Sequence, residues 1–503
     1  QRETVQGLAR TLGSFKHLAG DLAFEEEFYR GIAKVTPEDI QSVAKTYLAP
    51  EKASVALMNP QHEAPLSISI RDVKDAYSKS RQTAQSAAVQ TATTSQEPTM
   101  ITLSNGVRVI MKVNAHAPLV SLRAAMLGGS RFEQEHNCGI SGLTAALLTK
   151  GTERYSAERM AETLDKTASG MSGFSGRNSI GLQGTFLQRF LGQGLEMFCE
   201  SLLCPQFPEE EFAREQRLAL EDIRASEDQL TYQAFRLFYE TLYKQHPYRL
   251  PVAGTLESIQ GLDPKQLQDF YTRLCQPENM VISAVGDFEP EDLQQRLEET
   301  IGSLSQKSLD LPQLQPEAVP TEMRTATKQK ERQQAHMLLG FLGTTMFDMD
   351  RYTFSVLNAI LSGQGGRLFL ELRDKLSLAY SVSAFSAELY EPGFFAAYIG
   401  TSPEKLETAQ EAMLKELRTL QQQPVPQEEL ERTKRYLKGS YAISLQRNGS
   451  QASSFALSEL YGLGYKHHLQ YIENIENVTA EDIQRVANQY FLLDRYVLAV
   501  LKP

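Results

Sequence analysis

The sequence has few cysteines and no long apolar run. Four cysteines among 503 residues are too few for a disulfide framework, and their spacing fits no common zinc pattern. We therefore expect small, buried, apolar side chains at Cys138, Cys199, Cys204 and Cys275. The longest apolar stretches, such as residues 394–399, have only strand length, whereas a membrane-spanning helix needs about 18 residues. The sequence thus predicts no membrane span.

An excess of positive charge is also missing. Lys and Arg number 51 against 62 Asp and Glu, a net charge of -11. This balance gives no reason to expect nucleic acid or an anionic membrane as a partner. With 41% hydrophobic and 22% charged residues, the composition is that of a globular protein. The length suggests about three domains.

Familiar catalytic motifs are absent from the sequence. The eight histidines form neither H-x-x-E-H nor H-x-x-x-H, and no G-x-S-x-G nucleophile turn occurs. His467 and His468 are the one adjacent pair, which we interpret as solvated, and residues 246–248 resemble a loop. Residues 363–366 lack the third glycine and the Lys-Ser/Thr of nucleotide-binding loops.

A long-period repeat is the strongest pattern in the sequence. Residues 35–41 recur at 478–484 and, more weakly, at 262–267. In the first copy Thr36 is a good helix N-cap and Asp39 completes a capping box, and apolar residues then follow at helical spacing. Each copy therefore predicts an amphipathic helix followed by a buried strand. The spacing of the copies makes one unit a little over 200 residues long.

The repeat and the composition divide the chain. Residues 1–60 fit only the end of a unit, so we expect the chain to be a fragment with at least one more unit upstream. A linker over 61–99 surrounds a stretch rich in Ser, Thr, Gln and Ala. Two further units then cover 100–315 and 316–503, the first opening on a hairpin at Asn105-Gly106. Mixed strands and helices with hairpin connections indicate an α+β fold.

The segment Gly139–Thr152 resembles the zinc-binding helix of the pitrilysin/insulinase-like metallopeptidases, which carries H-x-x-E-H in active units. The resemblance places the two histidine positions at Gly142 and Ala146 and the general base at Ala145. A third ligand position falls at Asp222. One carboxylate cannot hold zinc at useful affinity, and no base remains to take a proton from water. This unit is therefore expected to be non-catalytic, with no metal site.

The segment Gly363–Val382 is similar to a motif in the last unit of the same family. The resemblance implies that Arg373 and Tyr380 bind substrate: the guanidinium holds the peptide backbone, and the phenol stabilises the oxyanion. From the residues alone, an arginine at a helix end and a tyrosine at a strand start are also consistent with purely structural roles.

The resemblance implies a complete enzyme of four homologous units. Residues 100–315 and 316–503 would be the third and fourth, mitochondrial-processing-peptidase-like units with mixed, mainly antiparallel sheets packed with helices. The chain would be the non-catalytic C-terminal half of a zinc metalloendopeptidase, inactive alone and forming one wall of a peptide-degradation chamber. Its partners would be the N-terminal catalytic half, which would hold the zinc, and unfolded peptide. The alternative is a non-peptidase scaffold or peptide-binding protein. The compartment stays open, and only resemblance to large bacterial members points to the periplasm or cell envelope.

Overall fold

The computed structural model describes residues 34–47, a few isolated positions before them, and residues 97–503 apart from 116–117, 307–308 and 331–333. The chain divides into two compact units, Gln1–Thr94 and Ser95–Pro503. Helix α1 (Pro37–Tyr47) belongs to the first. Among the described helices, none has the length and apolarity that a bilayer span requires. The predicted linker lies almost wholly outside the described residues, and the proposed boundaries stay predictions.

The unit Ser95–Pro503 contains two β-sheets. The strands of the first sheet are β1 (Thr99–Thr102), β2 (Arg108–Val113), β3 (Leu119–Leu127), β4 (Gly170–Ser175), β5 (Ser179–Leu187) and β6 (Met280–Gly286). Those of the second are β7 (Arg324–Gln329), β8 (Ala335–Leu342), β9 (Ser381–Ala387), β10 (Phe394–Thr401) and β11 (Val497–Lys502).

Helices surround both sheets. They are α2 (Ile140–Leu147), α3 (Ala157–Lys166), α4 (Leu191–Leu203), α5 (Glu209–Glu227), α6 (Leu230–Leu242), α7 (Leu256–Gln260), α8 (Pro264–Leu274), α9 (Pro290–Thr300), α10 (Asp350–Leu361), α11 (Leu406–Gln422), α12 (Gln427–Ser444), α13 (Asn448–Leu460), α14 (Tyr471–Asn477) and α15 (Ala480–Tyr490). A π-helix, Phe369–Lys375, precedes β9.

The two sheets follow one plan. The strand order is β1-β2-β6-β3-β5-β4 in the first and β7-β11-β8-β10-β9 in the second. Each has one parallel pair, β2 with β6 and β7 with β11, and its other pairs are antiparallel. Without β1, the first order maps onto the second strand by strand. The predicted α+β fold of two homologous units is confirmed.

The sequence repeat corresponds to a repeated helix-strand element. Helix α8 leads into β6 and α15 into β11, and the apolar positions of both helices are buried apart from the half-buried Tyr490. The N-cap Thr479 of α15 exchanges hydrogen bonds with Asp482, as Thr36 of α1 does with Asp39. The helix prediction is thus correct in all three copies. The strand predicted after α1 lies outside the described residues, and Ile40 of α1 is exposed.

One helix of each homologous half packs against the sheet of the other half. Helix α6 packs against β8 and β11 of the second sheet, and its Phe238 contacts Phe394 of the neighbouring β10 edge to face. Helix α13 packs in the same way against β3 and β6 of the first sheet, where Phe455 is fully buried. Both central strands β6 and β8 are buried along their whole length because helices cover both faces. The exchange joins the halves into one folded body.

Candidate functional site

Helix α2, the segment that resembles a zinc-binding helix, is held at its N-terminus by a buried carboxylate. Glu133 accepts hydrogen bonds from the backbone N–H groups of Gly139 at 2.8 Å and Ser141 at 3.0 Å. Burial raises the pKa of Glu133 in spite of these bonds. Because the first N–H groups of a helix have no partner within it, this carboxylate fixes where α2 begins. No local sequence pattern predicts this cap, because Glu133 lies in the preceding loop.

Helix α2 places the three family positions on different faces. Gly142 and Ala146, one turn apart, share a half-buried face, whereas Ala145 is 3% exposed and belongs to the core of the first sheet. A Cβ added to Gly173 of β4 would lie 1.9 Å from the Ala145 carbonyl oxygen, so helix and strand touch through their backbones. Asp222 is exposed on α5, the helix that packs beside α2.

The donor atoms at these positions do not fit a zinc ion. Glycine and alanine offer no side-chain ligand, so Asp222 is the single possible donor among the four positions. Zinc sites in proteins take three or four Cys, His or carboxylate ligands. Across the described ranges, no group of three or more His, Cys, Asp or Glu side chains could hold a metal ion. No catalytic step through a metal therefore follows from these residues.

Arg373 lies in the last turn of the π-helix. Its side chain is exposed, and its guanidinium carbon is 4.7 Å from the centre of the Phe369 ring. The turn closes with Leu376 N–H donating to the Glu371 carbonyl at 3.0 Å. π-Helical turns are rare and occur often at functional sites, because they change the direction in which side chains project. The sequence predicted a helix end here but not this winding.

Tyr380 stands immediately before β9, at the predicted strand start. Its N–H donates to the Gly400 carbonyl at 2.9 Å, which fixes the backbone, while its side chain is 66% exposed. Within the described part of the chain, neither the phenol nor the Arg373 guanidinium makes a hydrogen bond to another residue. Both groups are therefore open to a ligand. They belong to the second sheet's half, and no hydrogen bond links them to α2.

The adjacent histidines are half-buried and not fully solvated as predicted. His467 Nε2 lies 3.1 Å from the Tyr352 hydroxyl, and burial lowers the pKa of this half-buried ring. His468 packs with its ring centre 4.8 Å from that of Phe455. Tertiary packing explains the burial of the pair. The short 3-10 helix His467–Gln470 lies between α13 and α14 and contacts both helices.

A buried polar cluster joins the two halves. Arg131, 8% exposed, donates from Nε to the two carboxylate oxygens of Glu391 at 2.9 and 3.0 Å. The Tyr248 hydroxyl donates to Glu391 Oε2 at 3.0 Å, and His246 Nε2 is 3.5 Å from the same oxygen. Burial favours the neutral acid, but the nearby His246 ring and the hydrogen-bonded Arg131 outweigh it and lower the pKa of Glu391 to about 2. We refer to these four residues as the interface cluster.

The interface cluster corrects one prediction and adds residues that the sequence reasoning missed. The segment 246–248 is no open loop: Pro247–Arg249 forms a 3-10 helix, and Tyr248 is fully buried. Arg131 and Glu391 are 260 positions apart, so no local pattern could pair them. Three cysteines meet the prediction of burial, namely Cys138, Cys199 and Cys275, whereas Cys204 is half-buried.

Comparison with known proteins finds two family matches in this chain. Residues 108–256 match the family described as insulinase (peptidase family M16), and residues 261–437 match the peptidase M16 inactive domain. The zinc protease YmxG of Bacillus subtilis is 28% identical over 407 residues, which cover 80% of this chain and 97% of that protein. The first matched segment lies within the first half. The second covers most of the second half and also includes α8, β6 and α9 of the first half.

Solved structures share the fold. A protease from Helicobacter pylori has a TM-score of 0.75 at 22% identity, covering 82% of this chain and 100% of that one. A peptidase M16 inactive domain from Pseudomonas fluorescens has a TM-score of 0.74 at 22% identity, covering 81% and 98%. The family matches, the relative and the shared fold agree with the resemblance read from the α2 and π-helix segments. The chain belongs to the insulinase-like M16 peptidase family.

Proposed function

We propose that this chain is the non-catalytic C-terminal half of a zinc metalloendopeptidase. It would form one wall of the chamber in which peptides are degraded. The observation that carries the proposal is a contrast between two family segments. The α2 positions Gly142, Ala145 and Ala146 have no ligand atoms, whereas Arg373 and Tyr380 are present, exposed and free of hydrogen-bond partners among the described residues.

Zinc and the general base would belong to a catalytic half. Relatives of this chain are named zinc proteases, which supports zinc chemistry in the family. The B. subtilis relative is matched over 97% of its own length, so proteins of two-unit size occur in the family. The proposal therefore holds for a catalytic half joined to this chain and for one supplied as a separate chain.

Arg373 and Tyr380 would act on the peptide rather than on a metal. The guanidinium has five N–H donors in a planar fork, which suits the carbonyl oxygens of an extended peptide. The phenol can donate a hydrogen bond to the scissile carbonyl oxygen, whose negative charge grows as the bond is attacked. Burial of the peptide between two walls would exclude water and admit only short or unfolded chains. Arg373 is thus assigned to binding and Tyr380 to the transition state.

The test uses the complete enzyme, reconstituted from this chain and its catalytic half. Tyr380→Phe removes one hydrogen-bond donor and should lower kcat about 10²-fold with KM and zinc content unchanged, because the bond forms only as charge develops. Tyr436→Phe is the matched control, since Tyr436 is equally exposed, at 67%, but lies on α12 outside the motif. A Tyr380→Phe enzyme as fast as the control would remove Tyr380 from the mechanism.

The alternative is a scaffold or peptide-binding protein of the same fold. The absence of ligand atoms at the α2 positions favours this alternative, because a protein that does not bind zinc needs no ligands there. The same reconstitution separates the two functions. A partner half with zinc and peptide cleavage supports the peptidase, and peptide binding without cleavage in any combination supports the scaffold.

A further inference from the structure

The first sheet has an unusual second face. One of its faces covers the main core, and the other is divided between apolar and polar halves. Ile110, Val281 and Val285 form the apolar half, which Phe455 of α13 covers. The polar half lies on β3, β5 and β4, and of these three strands α13 packs mainly against β3. Strand β4 is an edge of the sheet, so this polar surface is open along one side.

The polar half and the start of α13 border an open cavity of about 1090 Å³. We call it the arginine cavity, because two arginines are its charged residues. Its lining includes Arg123 on β3, Gln183 on β5, Ser172 on β4, and Arg447 and Ser453 from the α13 side. No aspartate or glutamate is among the described residues that line it. In a chain of net charge -11, a cavity of this size with only positive charges requires an explanation.

Arg123 is a partly buried cation in the middle of a β-strand. Its Nη1 donates to Gln183 Oε1 at 2.9 Å and to Ser453 Oγ at 2.8 Å, and its guanidinium lies 3.6 Å from the Phe174 ring centre. Its Nε is buried without a hydrogen-bond partner in the described structure. Burial lowers the pKa of Arg123 to about 10, so the side chain stays charged at neutral pH. No carboxylate forms an ion pair with it within the described ranges.

A buried charge without a counter-ion is costly, and an incoming anion would offset that cost. Arg447 is exposed at the rim and forms no ion pair with a described residue, so it is free to meet the same anion. A carboxylate accepts hydrogen bonds from arginine in a planar, bidentate manner. Two arginines suit one carboxylate, and the neutral amide and hydroxyl groups around them suit peptide backbone.

We propose that the arginine cavity binds a carboxylate of a peptide, held between Arg123 and Arg447. The ligand would be an acidic side chain or the carboxy terminus of an extended peptide lying along β4. This inference rests on the proposed peptide-handling function and adds a specificity to it: the chamber wall selects peptides that carry a carboxylate at this point.

The test measures the binding of three fluorescent peptides to the purified chain by anisotropy. The three peptides have the same sequence except at the glutamate positions and at the carboxy terminus. The first has glutamates and an amidated terminus, the second has glutamines and an amidated terminus, and the third has glutamines and a free carboxylate. We expect the neutral peptide to bind about tenfold more weakly than at least one acidic peptide. The peptide that shows the gain identifies the source of the carboxylate.

Variants assign the gain to the cavity. Arg447→Gln should abolish most of the tenfold gain and leave the affinity for the neutral peptide unchanged. Arg217→Gln is the control, because Arg217 is exposed on α5 and does not line the cavity. Arg123→Gln should act like Arg447→Gln, but Arg123 packs on Phe174, so its thermal unfolding is measured as well. The exposed Arg447 keeps the test valid if the Arg123 variant does not fold.

The outcomes separate the two proposals. A carboxylate gain that survives Arg447→Gln, or equal binding of the three peptides, overturns the arginine cavity and leaves peptide handling intact. Failure of all three peptides to bind overturns both the cavity and a peptide-binding wall in this chain. A gain that Arg447→Gln removes and Arg217→Gln does not supports the cavity.

Discussion

Replacing Glu391 by alanine is the perturbation that most directly tests how the two halves are held together. In the wild-type protein this carboxylate accepts hydrogen bonds from Arg131 and Tyr248 and lies beside His246. The variant leaves the buried Arg131 without a counter-ion and the Tyr248 hydroxyl with Asn178 Oδ1 as its remaining acceptor. Both losses occur where water has little access, since Glu391 is 8% exposed.

The magnitude follows from burial. Removing one partner of a buried ion pair costs about 3–5 kcal/mol, because the other charge stays desolvated and unpaired. An exposed pair contributes only about 0–1 kcal/mol. Glu162→Ala on α3 is therefore the matched control, because Glu162 pairs with Lys166 with both side chains more than half exposed. We expect Glu391→Ala to lose about 3–5 kcal/mol and the control to lose less than about 1 kcal/mol.

Urea unfolding followed by far-ultraviolet circular dichroism measures both variants against wild type. Because α6 and α13 are exchanged between the halves, both sheets should unfold in one transition whose midpoint falls in Glu391→Ala. The reasoning is refuted if Glu391→Ala and Glu162→Ala shift the midpoint equally, or if the two sheets unfold in separate transitions in the wild-type protein.

Two further predictions use the same assay. The folded-state pKa of Glu391 is lowered from 4.5 to about 2, so its stabilisation is present above about pH 4.5 and is lost as the pH falls towards 2. Wild type should therefore lose about 3 kcal/mol more than Glu391→Gln across that range, and parallel pH profiles would contradict the lowered pKa. Gly173→Ala would place a Cβ 1.9 Å from the Ala145 carbonyl oxygen and should cost at least about 2 kcal/mol. Gly170→Ala on the same strand has open space around the added Cβ and should stay within about 0.5 kcal/mol of wild type; equal losses would show that β4 can move away from α2.

Local patterns predicted the elements of this fold well. The capping signal at Thr479 and the periodic apolar residues after it led to α15, and the same reasoning led to α8 and α1. The Asn105-Gly106 turn joins β1 to β2, with Gly106 at φ 95°. These features depend on residues within a few positions of one another, so they can be predicted from the local sequence.

Long-range packing could not be predicted from local sequence patterns. Periodicity shows that α13 has an apolar face but not that this face covers the sheet of the other half. Arg131 and Glu391 are paired only because that exchange aligns the halves. Arg123 interrupts a mainly apolar strand, and only the structure shows that it lines a cavity. For the candidate site, the resemblance supplied the α2 and π-helix positions, and the structure added which of their side chains are exposed.

The measurement that tests the central claim most directly is the zinc content of the purified chain after exhaustive dialysis, with peptide cleavage assayed on the same sample. The donor-free positions Gly142, Ala145 and Ala146 predict no stoichiometric zinc and no cleavage by the chain alone, with activity appearing when the catalytic half is added. One zinc bound per chain, together with cleavage that a chelator abolishes, would contradict the account and place a catalytic centre within this chain.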